Sequence, residues 1–166
     1  MDTYIVDSNF FIQAHRMYYP LDVVPSFWDR VMDLAVAGRI ISIDKVKNEI
    51  VKNKDELTEW CETNLAKGFF NDSQTVIQHY IRVVQWADSR RGHYTSSALD
   101  EFLHADEADA WLVAYALADV DHRIIVTHEI SQPESKKKIK IPDACAPFGV
   151  RCVNTIELFR QLKVRF

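Results

Sequence analysis

The stretch Tyr4-Ile5-Val6-Asp7-Ser8-Asn9-Phe10-Phe11-Ile12 limits the possible folds of this chain more than any other. A short β-branched run stops at Asp-Ser-Asn, and apolar residues then resume at helical spacing. The pattern predicts a buried strand feeding directly into a helix, with Ser8 or Asn9 able to cap it. In an open α/β sheet, polar groups at the carboxyl end of a central strand face the crevice where ligands bind. Asp7 is therefore either a helix-capping residue or the floor of an active site.

Downstream, strands and helices alternate. The first helix runs from Phe10 to about Met17, and Pro25 opens a second that Gly38 ends. Ile40–Ile43 reads as a strand, and Asp44 caps the helix that follows it. Asp55 to Ser89 reads as two amphipathic helices divided at Gly68 and Asn71-Asp72-Ser73. A short helix is predicted from Thr95 to Leu103 and a longer one from Ala105 to Ala118. Ile124–Thr127 and Arg151–Val153 are the remaining strands, with a last helix from Thr155 to Leu162. Helices between strands, with no hairpin signature, predict a doubly wound three-layer α/β/α sandwich around a parallel sheet. Its 166 residues suit a single domain, 1–166, that buries a core without disulfides or a structural metal.

No apolar run reaches the length of a membrane span, and no basic-apolar leader precedes the first strand, so no membrane is expected as a partner. Cys61, Cys145 and Cys152 lack zinc-site spacing and read as reduced thiols, which fits a cytoplasmic protein. The net charge is only −4, but residues 136–166 carry eight Lys/Arg and two Asp/Glu, leaving −10 for residues 1–135. A basic tail on an acidic body is able to hold a polyanion while carboxylates gather elsewhere. It is equally a solvated surface.

Placed on this map, the acids fall at element ends. Asp7 closes the first strand, and Glu49 lies on the helix after the second. Asp106 and Asp109 occupy the first turn of the helix before the third strand, and Glu129 follows that strand by two residues. Each position has an ordinary explanation: a cap for Asp7, a Lys45 ion pair for Glu49, an N-cap and N3 pair for Asp106 and Asp109, a solvated loop for Glu129. Together they predict carboxylates meeting over the carboxyl ends of the central strands. Such a group repels itself unless cations sit within it. Oxygen-only ligation suits Mg²⁺ or Mn²⁺ and metal-assisted phosphoryl chemistry.

The residues at these positions resemble the PIN domains, in particular the VapC-like toxin ribonucleases. The likeness rests on Ile5-Val6-Asp7-Ser8-Asn9, Glu49, Asp109-Ala110-Trp111-Leu112-Val113-Ala114-Tyr115-Ala116 and Ile125-Val126-Thr127-His128-Glu129. Lys140-Ile141-Pro142-Asp143-Ala144-Cys145 with Phe148-Gly149-Val150 resembles a branch of these proteins often paired with an antitoxin. The resemblance implies a PIN-like fold and a metal-dependent endoribonuclease, the toxin of a type II toxin–antitoxin pair, that leaves a 5′-phosphate and a 3′-hydroxyl. It implies that Asp7, Glu49 and Asp109 are core metal-site acids, that Asp106 adds a further acid, and that Glu129 stands where the family usually carries Asp. Asn9 and Thr127 would support them. It also implies RNA as substrate, a protein antitoxin and a possible homodimer.

Lys136, Lys137, Lys138 and Lys140, with Arg16, Arg90 and Arg91, are candidates to meet RNA phosphates, against the plain alternative of a solvated loop. The histidines show no metal-ligand spacing, and His128 is notable only for bordering Glu129. The main competing function is a non-catalytic PIN-fold module that binds RNA or protein. Receiver and haloacid-type phosphatase readings need acid patterns that Asp7-Ser8-Asn9 does not supply, and a nucleotide-binding Rossmann reading lacks its glycine-rich loop.

Overall fold

A computed structural model describes residues 1–166. The elements run in order β1 (Thr3–Val6), α1 (Ser8–Gln13), α2 (Pro25–Val36), β2 (Ile40–Ile43), α3 (Asp44–Val51), α4 (Glu56–Asn64), β3 (Phe70–Asn71), α5 (Ile77–Ser89), α6 (Ser96–Leu103), α7 (Asp109–Leu117), β4 (Arg123–Val126), α8 (Ile141–Cys145), β5 (Arg151–Val153) and α9 (Thr155–Leu162). All five strands are parallel, in the order β3-β2-β1-β4-β5, with helices on both sides of the sheet. Ile5, Val6, Ile40, Ile43, Ile125 and Val126 are all buried, as the strands of a sheet covered on both faces must be.

The chain winds outward from β1 to β3, then returns and winds the other way through β4 and β5. The reversal lies between β1 and β4, and the crevice beyond their carboxyl ends is the usual ligand position in such a sheet. Val6 lies opposite Val126, so Asp7 and Thr127 are neighbours just past the ladder. Ser42 Oγ donates to the Val6 carbonyl at 2.7 Å and fastens the end of β2 to that of β1.

Helix α7 is buried on every side from Ala110 to Leu117, which explains its nearly unbroken apolar sequence. It packs against α5, α8 and β4. Tyr80 of α5 lies flat on Trp111 at 3.7 Å and 4°. A fully buried side chain such as Leu112 contributes about 1.5–3 kcal/mol to this packing. The 42 buried hydrophobic residues form one continuous cluster, so no boundary divides the core. Gly38, at φ +69°, supplies the left-handed residue that closes α2. No helix is long and apolar enough to cross a membrane.

The fold departs from the sequence reading at four places. The stretch read as two helices between Asp55 and Ser89 also holds β3, a two-residue edge strand too short to leave a periodic signal. The first helix changes at Ala14 into a wider turn through Tyr18, where the Tyr19 N–H reaches back to the Ala14 carbonyl at 2.7 Å. The cap of α1 is Asp7, not Ser8 or Asn9: its Oδ1 accepts the Phe10 N–H at 2.9 Å. Helix α7 starts at Asp109 rather than Ala105, because the Ala108 N–H is taken by Glu49 from across the sheet.

Candidate active site

Asp7 is only 4% exposed, and its backbone N–H continues the β1–β4 ladder to the Val126 carbonyl. It caps α1 from the end of β1, beside Thr127 at the end of β4. Burial pushes its carboxyl up to about 7, and the Glu129 and Glu49 charges add to the rise, against the pull of the Phe10 N–H and the Thr127 hydroxyl. Thr127 Oγ1 accepts the Glu129 N–H at 3.1 Å, which leaves its own proton to face Asp7.

Glu49 approaches Asp7 from α3, its charge acting on the Asp7 carboxyl. Its Oε2 accepts from Ser8 Oγ at 2.5 Å and its Oε1 from the Ala108 N–H at 2.9 Å. The expected Lys45 partner is absent, since the Lys45 ammonium lies over the Trp111 ring, 5.5 Å from its centroid. Burial raises the Glu49 carboxyl, while Ser8 and Ala108 oppose the rise. Asp109, the first residue of α7, is pushed to about 8 by burial and then by Glu129, Glu49 and Asp7, with Lys138 pulling the other way.

Glu129 is held from the loop that follows β4. Its Oε2 accepts the Ile141 N–H at 2.6 Å, and its Oε1 lies 3.5 Å from Lys138 Nζ. Burial works against the Lys138 charge, but Glu129, Asp109 and Glu101 outweigh it and raise the ammonium's pKa. Lys138 is thus turned inward as a counter-ion to the acids. Ser8 and Lys138 are two side chains holding these acids whose contacts the sequence reading missed. Ser8 adjoins Asp7 in sequence, a usable signal, but nothing local marks Lys138 among its neighbouring lysines.

The structure therefore brings Asp7, Glu49, Asp109 and Glu129 within electrostatic reach of one another. It excludes Asp106 from the group: this residue lies exposed in the turn before α7, not on its first turn. Asn9 lines an open recess of about 310 Å³ beside Glu129, together with Gln13, His128 and Lys140. Arg16, Lys136 and Lys137 are exposed. No three acidic side chains converge closely enough in this arrangement to grip one ion. The donor set, all carboxylate oxygen, nonetheless suits a hard divalent cation.

Residues 4–166 match the family described as Domain of unknown function (DUF4411). The chain belongs to this family. No curated protein and no solved structure matches the chain. The DUF4411 match begins within β1 and runs to the C-terminal residue, so every acid of the cluster lies inside the family domain.

Proposed function

We propose that the protein is a Mg²⁺- or Mn²⁺-dependent endoribonuclease, acting as the toxin of a pair whose other member is a protein antitoxin. One observation carries the reading. Four carboxylates from chain-distant elements lie near the switch point of the sheet within electrostatic reach of one another, two of them pushed to about 7 and about 8, with Lys138 their near cation. Such an arrangement destabilises the protein at neutral pH unless positive charge enters it.

Asp7, Glu49, Asp109 and Glu129 would hold the ion, which would supply Lewis-acid stabilisation of phosphate charge and acidify water. The chain's own residues set the donors. The Phe10 N–H and the Thr127 hydroxyl orient Asp7, while Ser8 and the Ala108 N–H orient Glu49. Asn9 and Lys140 edge the recess where an RNA strand would approach, with Arg16, Lys136 and Lys137 on exposed surface. A PIN-like relationship, suggested by the sequence resemblance, accords with the parallel α/β/α sandwich.

The test is cleavage of total RNA with Mg²⁺ or Mn²⁺, comparing wild type with Asp7→Asn and Asp109→Asn, and growth arrest on expression. Cleavage that requires the metal and both aspartates is expected; cleavage surviving both substitutions overturns the assignment. A second reading, a non-catalytic module binding RNA or protein, is favoured by the absence of a closed three-acid group and by the Lys138–Glu129 pair. Titration with Mn²⁺ separates the two, because only the enzyme needs a stoichiometric ion.

A further inference from the structure

A cavity of about 540 Å³ lies beside the acidic cluster over the carboxyl ends of β4 and β5. Its volume falls within the range of about 300–1,000 Å³ usual for small-molecule sites. Thr127 and Glu129 form the wall it shares with the cluster. The lining also carries Tyr18, 55% exposed, whose ring stacks on His128 with centroids 6.2 Å apart and planes at 29°. Ile130, 78% exposed, and Ile156, 46% exposed, make an apolar rim.

We propose that this cavity seats an unpaired nucleobase of the RNA strand, next to the bond to be cut. The proposal rests on the ribonuclease reading and names the substrate's form: single-stranded at the cavity. Glu129 is the only charged residue of the lining, so the cavity repels phosphate and acidic peptide and admits the neutral part of a nucleotide. An exposed aromatic ring is the usual platform for an unstacked base. Hydrogen-bonding capacity is also present. Asn154 Oδ1 accepts the Glu157 N–H at 2.8 Å, which leaves the Asn154 amide hydrogens free for an acceptor on a base. The recess edged by Lys140 shares His128, Glu129 and Ile130 with the cavity, so the backbone has a cationic residue beside it while the base is inside.

The test is fluorescence anisotropy, in EDTA to prevent cleavage, with a short labelled oligouridine and a ribose–phosphate strand of equal length lacking all bases. Wild type should bind the oligouridine about tenfold more tightly than the abasic strand. Tyr18→Ala, at an exposed position, should lose that preference, Tyr18→Phe should keep it, and Ile130→Glu should lose it by charging the rim. Equal binding of both strands by wild type, with total RNA still cleaved, overturns the base site and leaves the ribonuclease reading intact. If neither strand binds and no RNA is cleaved, both fail. If Tyr18→Ala leaves RNA binding unchanged but converts a dimer to a monomer in light scattering, a second copy of the chain covers the cavity and the proposal is wrong.

Discussion

The two sides of the acidic cluster are held by different forces. On the β1–α3 side, Asp7 and Glu49 are fixed by neutral donors: the Phe10 and Ala108 N–H groups and the Ser8 hydroxyl. On the α7–β4 side, Asp109 is affected by burial and then by neighbouring charges, and Glu129 is shared between the Ile141 N–H and an ammonium. Hydrogen bonds from the backbone set geometry regardless of which ions are present. A lysine on a loop sets only charge, and another cation is able to replace it. The first side is preorganised; the second is where an entering ion has to compete.

Removing a carboxylate from either side should produce the largest effect. Asp7→Asn keeps an oxygen to cap α1 and should fold, yet lose more than about a hundredfold in RNA cleavage, since even outer partners of a metal ligand cost 10–100-fold. Asp109→Asn should lose as much. Measurable cleavage by Asp109→Asn, with none by Asp7→Asn, would confine the chemistry to the preorganised side.

The pH dependence of the metal-free protein tests the electrostatic half. Asp7 and Asp109 have folded-state values raised to about 7 and about 8, above their unfolded range near about 4. The folded state therefore binds more protons than the unfolded one across that interval. Its stability is full below the unfolded values and is lost as pH rises through the folded ones. The melting temperature in EDTA should fall between about pH 5 and about pH 8.5, and added Mn²⁺ should restore it. Asp109→Asn should flatten the fall and melt higher than wild type at the alkaline end. A flat wild-type profile would show that these carboxyls are not strained by one another.

Smaller changes distinguish orientation from charge. Ser8→Ala removes a donor to a carboxylate and should cost about 1.5–3 kcal/mol of stability in urea unfolding, with weaker Mn²⁺ binding by calorimetry. Lys138→Gln should have the smallest effect, because the lysine is 43% exposed and such pairs are worth about 0–1 kcal/mol. It should lower metal-free stability slightly and tighten Mn²⁺ binding a few-fold. Weaker RNA binding with unchanged Mn²⁺ affinity would return Lys138 to the role suggested by its place in a lysine run.

Much of the fold was readable in the linear pattern, and the failures have physical causes. β1, β2 and β4 were visible because strands buried on both faces are largely apolar runs bounded by polar residues. β3 was not, since two residues at a sheet edge are selected by the partner strand rather than by their own periodicity. The linear pattern starts α7 four residues early because Ala105 and Asp106 are compatible with a helix. The actual boundary is set by Glu49, 59 residues away in sequence, taking the Ala108 N–H. Asp106 left the site for the same reason.

The order of residues determined which groups sit at strand ends: Asp7 after Val6 and Thr127 after Val126, each one step beyond a run that has to be buried. Tertiary structure decided what those groups meet. The direction of Lys138, the double fastening of Glu49 and the cavity between Tyr18 and Thr155 all join segments from different elements. Local sequence encodes burial and backbone preference over a few residues. The electrostatic partners of a carboxylate depend on which distant segments the sheet topology places within a few ångströms of it.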